Sequence, residues 1–161
     1  MCIRDRCYTQ GLLLYLAPSS GRPTLMAARI TRTLSCLNSM RLYCGQCTLQ
    51  LTSTPLEAVE SRGVCPVDGR ELMRVNQIMV APDFGFEFGV PITHYVGTKC
   101  LLLADHEDGR RLQGCCGPGS TSKYNQVCSQ CKQEIGVLYA DCIGPHFTAI
   151  NIERLNTQPK W

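Results

Sequence analysis

Two Cys-x-x-Cys pairs, Cys44-Gly45-Gln46-Cys47 and Cys128-Ser129-Gln130-Cys131, constrain what this chain can fold into more than any other feature. A gap of two residues lets both sulfurs of a pair turn toward one centre. Two such pairs complete a tetrahedron of thiolates around an ion, with bonds of about 2.3 Å. Each pair has an aromatic residue just upstream, Tyr43 and Tyr124, and small or polar residues between its thiols. The spacing predicts one structural zinc ion on Cys44, Cys47, Cys128 and Cys131. Four protein thiolates leave no open position on the ion, so its expected role is to hold the fold rather than to catalyse. A thioredoxin-like redox pair would need a βαβ pattern next to it, and neither pair is followed by one.

The chain has 12 cysteines among 161 residues. A secreted disulfide framework is the alternative to metal. It is opposed by the clustering of the thiols as C-x-x-C and C-C, by the chain length and by the lack of a clean signal peptide. Cys115 and Cys116 lie in the glycine-rich loop 114–120, and Cys142 follows Asp141 with His146 four residues on. Cys115, Cys116, Cys142 and His146 are therefore a possible second metal site. Side chains of adjacent cysteines diverge, so one of Cys115 and Cys116 is expected to pack rather than ligate. Buried thiols in a tight loop, or a reactive cysteine activated by exposed backbone N–H groups, are the other readings. Cys36, Cys65 and Cys100 read as small buried hydrophobes, and His94 and His106 as structural or solvated residues.

The chain divides into an N-terminal segment 1–41, a domain 42–155 and a polar tail 156–161. Met1–Arg6 resembles a translated sequencing adapter, and residues 1–25 are set aside as artefactual, with Met26 as a plausible start. Residues 26–40 carry Arg29 and Arg32, several Ser and Thr and no acid. That composition fits an organellar transit peptide or a simple unstructured arm. Within the domain, Thr48–Thr52 alternates as a strand does, Pro55–Ser61 suits one helical turn, and Glu71–Val80 suits a short helix or a strand, the helix being preferred. Ile92–Val96, Lys99–Ala104, Glu134–Ala140 and Phe147–Leu155 read as strands. Phe84, Phe86 and Phe88 alternate with Gly85 and Glu87, which on a strand puts three rings on one face. That face is either core or an apolar binding wall. The expected class is mainly β, a small domain of two antiparallel sheets with a zinc knuckle pair.

The order of a Cys-x-x-Cys, a β-rich middle, and then Cys128-Ser129-Gln130-Cys131 followed by Gly136 and Tyr139 resembles the Yippee-type zinc domains. The resemblance implies a β-tent, two antiparallel sheets pinned at the apex by a four-cysteine zinc, a shape shared with the cereblon ligand-binding domain and B-type methionine sulfoxide reductases. Residues 115–142 also resemble uncharacterised small bacterial cysteine-rich proteins. The family likeness implies a non-enzymatic module gripping a peptide or small ligand, with Phe84, Phe86, Phe88 and Tyr95 as candidate contacts. A thiol redox enzyme similar to methionine sulfoxide reductase B is the alternative, with Cys142 as nucleophile beside Asp141 and His146. Net charge is +3 with a pI of about 8.3, and the cations of the domain are scattered, with Arg110-Arg111 its one adjacent pair. Nucleic-acid binding is not expected, since phosphate affinity needs clustered cations. No apolar run reaches the roughly eighteen residues of a membrane span. The composition points to an intracellular protein, cytoplasmic or nuclear, with organellar targeting open.

Overall fold

The computed structural model of the chain describes residues 39–158. Cys36 and the Arg29–Arg32 arm lie outside the described residues. The described chain is mainly β, with ten short strands: β1 (Ser39–Met40), β2 (Tyr43–Cys44), β3 (Leu56–Ala58), β4 (Gln77–Val80), β5 (His94–Val96), β6 (Leu103–Asp105), β7 (Gln126–Cys128), β8 (Glu134–Tyr139), β9 (Phe147–Ile150) and β10 (Leu155–Asn156). Eight of them form one sheet in the order β1-β3-β4-β5-β9-β8-β7-β6, and β2 pairs with β10 in a second, two-stranded sheet. The large sheet is mixed rather than wholly antiparallel, because β3 and β4 run parallel with Glu57 opposite Gln77. No helix among the described residues is long and apolar enough to cross a membrane.

The central strands are buried on both faces, which is why they read as apolar runs rather than as clean alternation. In β4, Ile78 faces one core and its neighbour Met79 the other; in β5, Val96 and Tyr95 divide in the same way. The first core holds Leu42, Leu51, Leu56, Ile150 and the paired cysteines Cys44 and Cys128. The second gathers Tyr95, Tyr139, Phe147 and Ala149. Between β7 and β8 the register steps: Gln126 stands opposite Gly136 but Val127 opposite Glu134. This bulge gives β8 one extra residue. Ile135 consequently packs into the cysteine-side core while Val137 and Tyr139 pack on the aromatic side.

The edges of the large sheet are drawn together. β1 continues into Leu42, whose carbonyl accepts from Leu51 N–H at 2.8 Å; Leu51 carbonyl in turn accepts from Leu102 N–H at 2.7 Å, and Thr52 bridges Leu101 at the entry to β6. A strip of chain thus links the outer strands β1 and β6, and the sheet curls.

Several local expectations fail for identifiable reasons. The segment 55–61 contains strand β3 rather than a helical turn, because Leu56 is buried in the first core and Glu57 pairs with both Ser39 and Gln77. Glu71–Val80 is a turn leading into β4 rather than a helix. Ile78 and Met79 must reach opposite faces, which only extended backbone allows. The Cys100 thiol also donates to the Val75 carbonyl and holds the turn in place. Thr48–Thr52 contributes only isolated bridges at Gln50 and Thr52, and Lys99–Ala104 becomes strand only from Leu103. Phe84, Phe86 and Phe88 lie in a loop, yet all three pack against the second core. Phe86 meets Tyr139 and Phe147 edge-on, with centroids 5.2 Å apart in each case, a favoured aromatic geometry.

Asn125, fully buried, extends the β7–β8 ladder with its side chain. Its Oδ1 accepts from Leu138 N–H at 2.6 Å and its Nδ2 donates to Leu138 carbonyl at 2.9 Å. Asn125→Ala removes the partner of both groups at once. The expected loss is about 3 kcal/mol, from a cost of roughly 1–3 kcal/mol for each buried group left unpaired. Denaturant unfolding with the metal content held constant measures it; a loss under about 1 kcal/mol would show that the ladder does not need this amide.

Candidate metal centre

The four cysteines of the two pairs converge. Their sulfurs all lie within 4.8 Å of one another, with Cys44 Sγ 3.5 Å from Cys131 Sγ and Cys47 Sγ 3.6 Å from Cys128 Sγ. These distances are far too long for a disulfide, at about 2.05 Å. They are close to the edge of a tetrahedron of sulfurs around a metal, about 3.8 Å for bonds of about 2.3 Å. Cys44 and Cys128 are buried, and Cys47 and Cys131 are half-buried at the rim.

Both turns are built alike, from different sequence. Cys44 N–H donates to Leu49 carbonyl at 2.8 Å and Thr48 N–H donates back to Cys44 carbonyl at 3.0 Å; Cys128 N–H donates to Gln133 carbonyl at 2.9 Å and Lys132 N–H to Cys128 carbonyl at 3.0 Å. The residue after each pair takes left-handed backbone, with φ of 59° at Thr48 and 62° at Lys132. This is uncommon for residues other than glycine, and for a β-branched threonine especially so. The second turn also braces the first. Gln133 Oε1 accepts from the Cys44 thiol at 2.9 Å and from Gln46 N–H at 3.1 Å.

The thiols differ in acidity. The Leu49 N–H, with help from neighbouring thiols and against burial, lowers Cys47 to about 7. Burial pushes Cys131 up to about 12 and also raises Cys44. One sulfur of the set is thus ready as a thiolate near neutrality, and an arriving cation displaces protons from the raised ones.

A second group brings together Cys115, Cys116, Asp141 and Cys142, whose ligand atoms also lie within 4.8 Å of one another. The set differs from the one the sequence predicts. His146 is not in the group: its backbone pairs with Arg70 and Leu72, Glu71 bridges it, and its Nε2 is buried without a hydrogen-bond partner. Asp141, buried between the two loops, takes its place. The adjacent thiols do not diverge either, with Cys115 Sγ and Cys116 Sγ 3.8 Å apart. Backbone N–H groups, that of Cys115 foremost, hold the Asp141 carboxyl below its ordinary range against burial. Hydrogen bonding with Cys116 and Asp141 pushes the Cys142 thiol up to about 12. Of the lone cysteines, Cys100 is buried as expected, whereas Cys65 is exposed in the turn after Gly63. His94 and His106 serve local hydrogen bonds to Thr93 and Asp108. Tyr95, expected as a ligand contact, is instead 3% exposed and belongs to the core.

No family of known proteins, no characterised protein and no solved structure matches this chain.

Gly45 tests the first turn. Its N–H donates to Arg154 carbonyl at 3.1 Å, and a Cβ there would collide with that same oxygen. Ser129 holds the matching position of the second turn with an exposed side chain. The turn itself therefore tolerates a Cβ, and the constraint comes from the segment that leads into β10. Gly45→Ala is expected to cost about 1–3 kcal/mol, the range for overpacking, while Ser129→Ala is neutral. Chemical unfolding of the pair checks this, and equal behaviour of the two variants would contradict it.

Proposed function

We propose that this chain is a zinc-stabilised, non-enzymatic binding module for a peptide or small ligand, a β-tent of Yippee-like type with one structural zinc on Cys44, Cys47, Cys128 and Cys131. The observation that carries the reading is the meeting of four thiols on two turns of matching geometry, at separations suited to a tetrahedral ion. Thiolate donors in a tetrahedral set favour zinc among abundant divalent ions. Four protein ligands leave the ion no site for substrate, so its contribution is to folding, on the order of 10 kcal/mol.

Phe84, Phe86 and Phe88 remain the contacts of choice for a ligand. Each is half-buried against the second core, and the alternating residues Asp83, Gly85, Glu87 and Gly89 are exposed, so that partly exposed phenylalanines and acidic neighbours share the rim of one loop. That rim suits an apolar side chain flanked by a cation. The redox alternative gains no support from the geometry. A nucleophilic cysteine works as its thiolate, while Cys142 is pushed up to about 12 and His146 is directed elsewhere. Nucleic-acid binding is also disfavoured: Arg110 pairs with Asp108 at 2.8 Å, and Arg111 pairs with Glu134. The one basic doublet of the domain is thereby neutralised.

Metal analysis of the purified chain is the primary test. Zinc is expected to co-purify, and Cys44→Ser and Cys128→Ser alike are expected to lose that ion together with cooperative thermal unfolding. Retention of the ion in one variant and its loss in the other would break the shared site. For the binding role, a displayed random-peptide library selected on the zinc-loaded chain should yield binders whose NMR shift changes centre on residues 84–88. Failure to select any binder, together with methionine sulfoxide reduction that is lost in Cys142→Ser, would replace the module with the redox enzyme.

A further inference from the structure

The loop 114–119 is wrapped around one carboxylate. Asp141 Oδ2 accepts from Cys115 N–H at 3.0 Å, and its Oδ1 accepts from Cys116 N–H at 3.2 Å and from Cys142 N–H at 2.7 Å. The three backbone groups it fixes belong to the three residues whose thiols converge beside it. Glycines make the approach possible. A Cβ on Gly114 would lie 2.9 Å from Asp141 Oδ2, and one on Gly119 would lie 2.7 Å from it. The loop is closed at its base by Gly119 N–H on Gln113 carbonyl at 3.1 Å, and stitched to the end of β8 by Ala140 N–H on Pro118 carbonyl at 2.7 Å. These contacts aim three sulfurs from two separate segments at one point. Cys115 Sγ and Cys116 Sγ stand 3.8 Å apart, the edge length of a tetrahedral thiolate site at about 3.8 Å.

We propose that Cys115, Cys116 and Cys142, with a carboxylate oxygen of Asp141, form a second metal site that takes a thiophilic divalent cation of the zinc class in exchange with the medium. Three sulfurs and one carboxylate oxygen are a donor set that zinc accepts. Asp141 Oδ2 receives one N–H bond and keeps a lone pair for an ion, whereas Oδ1 already receives two. The site differs from the first in access. Cys115, Cys116 and Cys142 are all exposed, whereas two of the four ligands of the first site are buried. An ion here meets solvent and chelators directly, so it loads and leaves without unfolding, and it ties loop 114–119 to Cys142 only while bound. This site does not depend on the first.

The experiment uses the full chain, reduced and saturated with zinc alone, desalted and counted by mass spectrometry, then challenged with a chromophoric chelator. Two ions per chain are expected, one released at least about tenfold faster than the other. Cys116→Ser and Cys142→Ser should each lose the fast ion and keep the slow one, with melting temperature nearly unchanged. Cobalt substitution gives a second readout: the two variants should lose one set of thiolate-to-cobalt absorption bands and retain the other. Saturation at one ion that Cys142→Ser retains and Cys44→Ser loses would overturn the second site and leave the first intact. One ion lost in Cys142→Ser but retained in Cys44→Ser would uphold the second site and sink the first. A Cys–Cys disulfide within the trio that persists under reducing conditions would also overturn the proposal.

Discussion

The meeting of the 44–47 and 128–131 turns is the contact on which the rest of the structure depends. The first turn leaves β2 and heads the strip that ties β1 to β6; the second joins β7 to β8 near the other end of the sheet order. Where the turns meet, Gln133 reaches across to Cys44 and Gln46, and Arg154 carbonyl accepts from Gly45. The β2–β10 pair lies alongside, with Cys44 opposite Leu155. Residues 43–47, 128–133 and 154–156 therefore share one small volume. Strands of two to six residues cannot persist by ladder bonds alone, since isolated short hairpins are marginal in water. A cross-link between remote turns lowers the entropy of the open chain most when it closes a long loop, and the loop between these turns takes in most of the domain.

The backbone at the turns carries its own cost. Thr48 and Lys132 both sit at φ near 60°, where an L-residue with a Cβ is worse off by roughly 1–2 kcal/mol. Glycine would remove that cost, and neither turn uses it. The strained residue is over-determined in each case: its N–H donates to the first cysteine of the pair, and that cysteine donates to the residue beyond. The same bonds direct N–H groups toward sulfur, and the Leu49 N–H is what lowers Cys47. Strain and hydrogen bonding thus arise from one local geometry, repeated in two unrelated stretches of sequence, whereas acidity differs between the turns: Cys47 is lowered to about 7 and burial pushes Cys131 up to about 12.

The spacing of the cysteine pairs made the first centre legible, because a two-residue gap leaves few options for where the sulfurs point. The long strands β8 and β9 were legible for a similar reason: runs such as Ile135–Tyr139 and Phe147–Ile150 are buried on both faces and announce themselves by apolar content. What failed was set by tertiary contact. Nothing local to Glu71–Val80 excludes a helix; two cores on opposite sides of β4 and a thiol from Cys100 do. Cys65 is a different case, since its neighbours carried a signal: it precedes the turn-forming Pro66–Gly69 and is exposed, whereas Cys100 precedes the apolar run Leu101–Leu103 and is buried. Proximity in sequence suggested His146 as partner to Cys142. The β9 entry instead carries His146 away to pair with Arg70 and Leu72, and Asp141, given a role only as the acid beside a nucleophilic Cys142, is the residue around which the glycine loop is folded. A signal was present in Gly114, Gly117 and Gly119, which permit a close approach, but not in what they approach.

Two thiol clusters in one small domain raise the question of how a chain keeps their chemistry apart, and burial answers it. The first cluster is braced by a side-chain amide, by two matching turns and by the core beneath Cys44 and Cys128. Departure of an ion from it means opening the contact that unites the sheet. The second is braced by a carboxylate on a surface loop, with its sulfurs exposed. Opening there disturbs only residues 114–119 and the turn after β8. Donor chemistry is nearly the same in both, so affinity alone would not separate them. On the proposed reading the separation is kinetic and follows from cooperativity: the cost of releasing an ion scales with how much structure must move with it. With both proposed sites in use, such a domain would hold its fold constant at the first centre while its surface loop responded to the thiophilic ions around it.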